Sequence, residues 1–213
     1  MDPLLFSIFA DVLLGKRDGV EAGVRKAMEL KLEPATILEQ GLIAAMTEVG
    51  ARFEREEFFV PEMLVAARAM QSGLAILKPQ LIEGGIRAVG KVVLGTVKGD
   101  LHDIGKMLVG MMLEGAGFEI IDLGTDVPPA KFAEMARTSG ANIVGISALL
   151  TTTMENMRPT IEVLEDVGVR GQVKVMVGGA PVTEDFAKEI GADGYAPDAG
   201  RAVSLAKSLI AGK

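Results

Sequence analysis

The spacing of apolar residues is helical from the N-terminus to about residue 82. These residues fall into four segments, of which the first closes at Leu13 and Leu14 and the others span 20–28, 37–49 and 61–77. No run of this part alternates in the manner of a strand. The pattern therefore predicts four helices, which we place in an N-terminal domain of residues 1–85.

The pattern changes after a stretch rich in turn residues at 79–91, which is typical of a domain boundary. Short apolar runs at 92–97, 118–123, 143–147, 173–177 and 194–196 then alternate with helix-like runs at 104–115, 128–138, 154–167, 183–190 and 199–210. The strand-like runs lack polar alternation, as expected when helices cover both faces of a parallel sheet. We predict an α/β fold in which residues 91–213 form a doubly wound, five-stranded parallel sheet of flavodoxin-like or Rossmann-like type.

One connection in the helical part is unusual because it is rich in phenylalanine. Residues 53–60 contain Phe53, Phe58 and Phe59 beside four charged residues. A bundle of this size normally buries its aromatic side chains in helix faces. The connection is therefore predicted either to contact something outside the bundle or to act as a hydrophobic staple beneath the loop.

Composition and charge exclude several classes of partner and site. The chain contains no Cys and one His, which rules out disulfides, iron-sulfur clusters, thiolate zinc sites and polyhistidine sites. Any transition metal must therefore arrive inside a cofactor. The net charge of -7 and the absence of Lys/Arg clusters argue against a nucleic-acid partner. No apolar run is long enough for a membrane span and no signal peptide is evident, so we expect a cytoplasmic protein.

The single histidine, His102, lies in a loop where ligands of open α/β sheets bind. The loop covers residues 98–105, after the first predicted strand and before a helix. Asp100 precedes His102 by two residues, and a carboxylate on one imidazole nitrogen would orient the other as a metal ligand. Taken alone, the loop is equally compatible with an exposed histidine that has no special role.

Two further loops are predicted at the same edge of the sheet. Ser147 ends the third strand and precedes the hydroxyl-rich run 151–153, whereas Gly178-Gly179 ends the fourth strand. Ser147 could extend the pair of Asp100 and His102, or it could satisfy backbone groups at the strand end. The glycine pair would let a bulky ligand lie against bare backbone, or it forms an ordinary turn.

Together these motifs read Asp-x-His-x-x-Gly, then 41 residues, Ser-x-Leu, then 28 residues, Gly-Gly. This combination resembles the vitamin B12-binding signature of cobalamin-dependent methyltransferases and mutases. The N-terminal helices, with residues 53–70, are similar to the helical cap domain of methionine synthase and of small corrinoid proteins. The resemblance covers essentially the whole chain, as a cap domain at 1–85 and a cobalamin-binding domain at 91–213.

The resemblance implies a role for each matching residue. His102 would be the lower axial ligand of cobalt, and Asp100 with Ser147 would complete a proton relay that follows the oxidation state of the metal. The cofactor would be cobalamin, as methylcobalamin, cob(I)alamin or cob(II)alamin. Other cofactor contacts are expected in the sheet loops and, from the cap, on Phe58 and Met63, with Phe53 and Phe59 as further candidates. The predicted contacts in the loops are Asp103, Ile104, Gly105, Leu149, Thr151, Gly178 and Gly179.

The function implied by the resemblance is that of a methyl carrier in one-carbon metabolism rather than of a complete enzyme. It would bind cobalamin base-off with the histidine on, and move a methyl group from a substrate-specific methyltransferase to a methyl-accepting one. A reductive activation protein is a further expected partner. The alternatives are the B12 subunit of an adenosylcobalamin-dependent mutase, against which the helical cap argues, and a B12-binding sensor, which would require an output domain. The sequence leaves the methyl donor open among methanol, methylamines, betaines and methoxylated aromatics.

Overall fold

The computed structural model of the chain describes residues 2–85 and 88–212, which form two compact units. The first holds the described residues up to 88 together with 115–117, and the second holds the remainder. The first is helical, and the second contains a five-stranded parallel sheet with helices between its strands. The predicted fold class is confirmed.

The helical unit follows the apolar periodicity of its sequence. Its elements are α1 (Pro3–Leu13), α2 (Arg17–Glu29), α3 (Pro34–Thr36), the π-helical segment π1 (Ile37–Ile43), α4 (Ala44–Glu54) and α5 (Val60–Glu83). Because α3, π1 and α4 are continuous, they correspond to one predicted helix. The carboxylate of Asp2 accepts a hydrogen bond from the Leu4 amide at 2.8 Å, which caps the start of α1. The buried apolar residues at helical spacing form the core of this unit.

Two boundaries in this unit differ from the predicted ones. Helix α5 continues through Pro79 to Glu83, although the proline marked the start of the predicted linker. A proline removes one backbone donor, and near the C-terminal end of a long helix this loss does not prevent the last turn from forming. Phe53 belongs to the last turn of α4, so the phenylalanine-rich connection is shorter than predicted.

None of the described helices is both long and apolar enough to cross a bilayer.

The sheet has the strand order β2-β1-β3-β4-β5, and every described pairing is parallel. The strands are β1 (Lys91–Thr96), β2 (Glu119–Asp122), β3 (Ile143–Ser147), β4 (Lys174–Gly178) and β5 (Gly194–Tyr195). From β1 the chain continues to β2 on one side, and from β3 it continues to β4 on the other side. The point between β1 and β3 is therefore the topological switch point, where such sheets bind ligands. Thr96 pairs with Ser147, so the loops that follow these two strands begin side by side.

In the described part of the sheet unit, six helices connect and cover the strands. They are α6 (Ile104–Gly115), α7 (Pro129–Ser139), α8 (Thr151–Met154), α9 (Met157–Asp166), α10 (Glu184–Glu189) and α11 (Ala199–Ala211). A side chain at Gly95 would collide with the ring of Phe132, because its Cβ would lie 2.5 Å from the phenylalanine Cζ. The glycine in β1 therefore lets α7 pack closely on the sheet.

The helix predicted at 154–167 is present as α9, but it begins later in the structure and is separated from the preceding helix by a break. Helix α8 ends at Met154 and α9 begins at Met157. Pro159 has no amide hydrogen to donate to the carbonyl of Glu155, which removes the bond that would continue one helix across this point. The intervening Asn156 instead donates its side-chain amide to the carbonyl of Lys98 at 2.8 Å. The break therefore supplies a hydrogen bond to the loop after β1.

Candidate functional site

His102 occupies the loop between β1 and α6, at the switch point of the sheet. Its side chain is 50% exposed, and its Nδ1 lies 2.7 Å from Oδ1 of Asp100. Because a carboxylate only accepts hydrogen bonds, this contact assigns the proton to Nδ1 and leaves the lone pair on Nε2. The backbone amide of His102 donates to the same oxygen at 3.0 Å. One carboxylate oxygen therefore holds both the ring and the main chain of the histidine.

The other oxygen of Asp100 is held by the loop after β3. Oδ2 accepts a hydrogen bond from the Leu149 amide at 2.7 Å and another from the Thr153 hydroxyl at 2.6 Å. Burial of Asp100 favours its neutral form, but the hydrogen bonds from Thr153, Leu149 and His102 outweigh that effect and hold its pKa well below the usual range. Asp100 is thus a carboxylate at neutral pH, and it fixes the imidazole beside it.

Ser147 lies at the end of β3 beside Thr96, as its position in the sequence predicts. Within the described chain, the hydroxyl that donates to Asp100 belongs to Thr153, six positions later, and not to Ser147. Thr153 was not among the predicted relay residues. The signal that could have found it is the run of three threonines at 151–153. The single turn of α8 buries Thr153 and leaves Thr151 and Thr152 exposed.

Three further hydrogen bonds secure the backbone of the histidine loop. The Asp126 side chain accepts a hydrogen bond from the Gly99 amide at 2.7 Å, and the Asp126 amide donates to the Asp100 carbonyl at 2.9 Å. Asp126 adopts a left-handed conformation with φ of 53°, which is uncommon for a residue other than glycine. The Thr96 hydroxyl donates to the His102 carbonyl at 2.9 Å. The loop is therefore held by hydrogen bonds along its length.

An apolar surface flanks His102. We use the name apolar rim for four exposed apolar residues. Two lie within two positions of His102 in the sequence and two follow β3: Leu101, Ile104, Leu149 and Leu150. Leu101 is 73% and Ile104 65% exposed, which is high for large aliphatic side chains. Exposed apolar side chains near a polar donor are typical of a ligand site.

The predicted glycine contacts are of two kinds. A Cβ at Gly105 would meet nothing within 4 Å, so this position leaves open space at the start of α6. A Cβ at Gly178 would lie 2.8 Å from the Ala196 carbonyl oxygen, and Gly179 approaches the Ala148 backbone even more closely. The glycine pair therefore lets strand ends approach one another in this structure. In contrast, a side chain at Gly105 would enter open space, and the nearby Asp103 is exposed.

The predicted contacts of the helical unit differ in exposure. Met63 is buried within that unit, whereas Phe59 is 61% exposed. Phe53 and Phe58 are half-buried, and the guanidinium carbon of Arg52 lies 5.2 Å from the centre of the Phe58 ring. Phe59 presents the most accessible apolar ring of this group. The role of these residues as cofactor contacts stays a prediction.

A buried ion pair connects the first turn of α6 to the end of β2. The Lys106 side chain is 3% exposed and its ammonium contacts both carboxylate oxygens of Asp122, which is 48% exposed. Asp122 also accepts a hydrogen bond from the Gly124 amide at 2.9 Å. The pair therefore ties the helix that follows His102 to the neighbouring loop.

We expect the two partners of this pair to respond unequally to substitution. Asp122→Asn leaves the ammonium of Lys106 buried without a counter-charge and should lower the free energy of unfolding by about 3 kcal/mol. Lys106→Met removes the buried charge, and the half-exposed Asp122 can be hydrated, so a loss below about 1 kcal/mol is expected. Urea unfolding followed by the fluorescence of Tyr195 measures this unit, because the chain has one Tyr and no Trp.

The double variant is the control for this prediction. Lys106→Met combined with Asp122→Asn should recover most of the stability lost by Asp122→Asn alone, since no buried charge remains. Equal losses for the two single variants would contradict the asymmetry of burial that the structure shows.

Comparison with known proteins identifies relatives over the full length of the chain. Residues 90–204 match the family described as B12 binding domain, and residues 5–78 match a second family with the same description. Dimethylamine corrinoid protein 1 of Methanosarcina mazei is 47% identical over 213 residues, which cover 100% of this chain and 98% of that protein. The dimethylamine corrinoid protein of Methanosarcina barkeri is 49% identical over 209 residues, which cover 97% of this chain and 98% of that protein.

Solved structures agree with this result. The methanol:cobalamin methyltransferase complex of Methanosarcina barkeri contains a chain that superposes with a TM-score of 0.90 at 28% identity, covering 100% of this chain and 81% of that one. A cobalamin-binding protein of Desulfitobacterium hafniense superposes with a TM-score of 0.79 at 31% identity, covering 96% and 98% of the respective chains.

Proposed function

Since the chain belongs to the family of B12-binding corrinoid proteins, we propose that it carries a methyl group on cobalamin between two methyltransferases, with His102 as the protein ligand to cobalt. Membership of this family makes cobalamin the cofactor. The observation that carries the proposal is the contact between Asp100 and His102 at 2.7 Å, which leaves Nε2 as the free nitrogen of the only histidine.

The residues at the switch point fit this cofactor in their donor chemistry. A corrin ring supplies the equatorial nitrogens of its cobalt, so the protein needs to provide a single axial donor. The chain has one imidazole and no thiol, and its proton lies on the nitrogen that faces Asp100. The apolar rim offers aliphatic side chains beside this donor, which suits the largely apolar face of a macrocycle.

Bound cobalamin would supply the cobalt that accepts and releases the methyl group. The protein would supply one nitrogen lone pair to that cobalt. Nε2 of His102 would provide it, while Nδ1–H is held by Oδ1 of Asp100. If Nε2 binds a metal, the hydrogen bond from Nδ1 to Asp100 becomes stronger, and its proton is shared more fully between the two groups. The hydrogen bonds from Thr153 and Leu149 keep Asp100 charged and ready to share it.

The remaining predicted contacts have roles that suit their positions. Thr151 and Asp103 are exposed at the same edge and would bind polar groups around the cofactor. Gly105 leaves room for close approach to the backbone. Ser147, Gly178 and Gly179 stay predicted contacts at the ends of β3 and β4. In the proton relay we place Thr153 on Asp100, where its hydroxyl already donates.

The helical unit would act as a cap, with Phe58, Phe59 and Met63 as its predicted contacts to the cofactor. The two Methanosarcina corrinoid proteins that are 47% and 49% identical to this chain are named for dimethylamine. We therefore expect a dimethylamine methyltransferase as the methyl-donating partner. A methyl-accepting methyltransferase and a reductive activation protein complete the expected set of partners.

A coupled assay tests the carrier function. The full chain is loaded with hydroxocobalamin, reduced with titanium(III) citrate, and supplied with dimethylamine, a dimethylamine methyltransferase and a thiol-accepting methyltransferase. Monomethylamine and the methylated thiol should then form in equal amounts. Free cobalamin at the same concentration is the control. The same assay is repeated with monomethylamine and with trimethylamine, each with its own methyltransferase. If products form no faster than in the control with any of the three amines, the carrier function is refuted.

A further inference from the structure

Thr96 is a fully buried polar residue at the carboxyl end of β1, a strand whose other buried positions are apolar or glycine. Its hydroxyl donates to the carbonyl oxygen of His102 at 2.9 Å. The hydroxyl therefore satisfies the main chain of the histidine loop, six positions away in the sequence. The cofactor relay does not explain this contact, because the relay uses the imidazole and Asp100.

The backbone of Thr96 is itself fixed by the connection between β2 and α7 and by its place beside β3. Its amide donates to the Gly124 carbonyl at 3.0 Å, and its carbonyl accepts from the Val127 amide at 2.9 Å. Thr96 also pairs in register with Ser147 of β3. A side chain on such a residue has little freedom, so its hydroxyl is a rigid anchor.

His102 is held at three atoms by two residues, which differ in their place in the fold. Its Nδ1 and its amide both contact Asp100, which lies two residues away in the same irregular loop. Its carbonyl contacts Thr96, which belongs to β1. Among the described residues, this is the hydrogen bond that joins His102 directly to a strand of the sheet. The Asp100 contacts orient the ring relative to the loop, and Thr96 positions the loop relative to the sheet.

We infer that Thr96 is a positioning residue for the cobalt ligand: its hydroxyl holds the His102 backbone and thereby sets where Nε2 is presented. This inference rests on the proposed function, in which Nε2 of His102 binds cobalt. Groups that orient a metal ligand without touching the metal commonly change metal affinity about 10- to 100-fold when they are removed. Loss of the hydroxyl leaves the His102 carbonyl without this donor and lets the loop move.

Two matched pairs isolate the hydroxyl from the packing of the side chain. Thr96→Val keeps the branched shape and replaces the hydroxyl with a methyl group. Thr96→Ser and Thr96→Ala differ from each other by one oxygen atom and both lack the methyl group. A hydroxyl effect must appear in both comparisons, and the second pair gives an answer even if the valine variant does not fold. Thr160→Val is the control, because Thr160 in α9 is also fully buried and its hydroxyl donates to the Asn156 carbonyl at 2.9 Å.

Each full-length variant is loaded with hydroxocobalamin and reduced to the Co(II) state. Electron paramagnetic resonance gives the fraction of cobalt with a nitrogen from the protein, which ¹⁵N-labelling of the protein identifies. Equilibrium dialysis gives the affinity for cobalamin. The valine and alanine variants should bind about tenfold more weakly and show a smaller protein-ligated fraction, whereas the serine and Thr160→Val variants should stay within about twofold of the unsubstituted protein.

A second readout does not require the cofactor. In the ¹⁵N-labelled apoprotein, the His102 amide should show increased fast motion in the valine and alanine variants but not in the serine variant. Wild-type ligation and affinity in the valine and alanine variants would overturn the role of Thr96. Equal losses in the serine and alanine variants would overturn it too, because the methyl group would then be responsible. Absence of a protein nitrogen on cobalt in the unsubstituted protein would instead refute the proposed role of His102.

Discussion

His102→Ala is expected to abolish the nitrogen hyperfine splitting that the protein contributes to the Co(II) spectrum of the reconstituted chain. The chain contains one imidazole, so no other side chain can replace it as an aromatic nitrogen donor. In ¹⁵N-labelled protein the splitting from His102 should be a doublet, whereas the unlabelled benzimidazole of the cofactor would give a triplet. The variant should therefore lose the doublet, and its affinity for cobalamin should fall at least about tenfold.

Chemical rescue provides the control for this result. Imidazole added to the His102→Ala protein can enter the space left by the side chain, and ¹⁵N-labelled imidazole should restore a doublet in unlabelled protein. The thermal unfolding midpoint should change little, because the His102 side chain is half exposed. A doublet that persists in the labelled variant without added imidazole would show that another protein nitrogen binds the cobalt.

Asp100→Ala is expected to destabilise the sheet unit by about 3 kcal/mol at neutral pH. The substitution leaves the buried Thr153 hydroxyl and the Leu149 amide without the carboxylate to which they donate, and each loss of a charged acceptor costs about 1.5–3 kcal/mol. The imidazole also loses the group that orients it. Urea unfolding followed by Tyr195 fluorescence measures the change in this unit. A loss below about 0.5 kcal/mol would show that these donors find other partners.

The pH dependence of this loss is a separate check on its cause. The pKa of Asp100 is lowered in the folded protein, so its charged form stabilises the fold above the pKa of the unfolded chain, about 3.9. That contribution decreases as the pH falls from there toward the folded-state pKa. The difference in stability between the unsubstituted protein and Asp100→Ala should therefore be smaller at pH 3 than at pH 6. An equal difference at both values would attribute the loss to packing rather than to the charge.

The sequence predicts regular elements well where apolar residues repeat between turn residues. The bounds of α6 and β3 agree with the predicted runs, because a glycine or a polar residue limits each one. The helix predicted at 154–167 begins three residues later, at Met157, since apolar periodicity continues across a point where Pro159 removes a backbone donor. Periodicity reports which face is buried, and it carries little information on whether the hydrogen-bonded ladder is continuous.

The site shows the same division between local and distant information. The pairing of Asp100 with His102 is local, and its spacing in the loop is sufficient to suggest it. The choice of Thr153 as the hydroxyl partner depends on how α8 turns after β3. Asp126 acts through a left-handed backbone conformation and a contact with Gly99, 27 positions away in the chain. The run of threonines at 151–153 marks the region of the first contact but not the hydroxyl that makes it, and the contact of Asp126 has no such signal.

The anchors of Asp100 also determine when the site can form during synthesis. The donors to its second oxygen are Leu149 and Thr153, which follow it by 49 and 53 residues. Contacts of such separation require that the intervening chain be folded into β3 beside β1 before they can be made. When His102 leaves the ribosome, the chain therefore still lacks Leu149 and Thr153, the residues that hold Asp100 in place. We therefore expect the cofactor to bind only after the third strand has joined the sheet, and not to guide the first steps of folding.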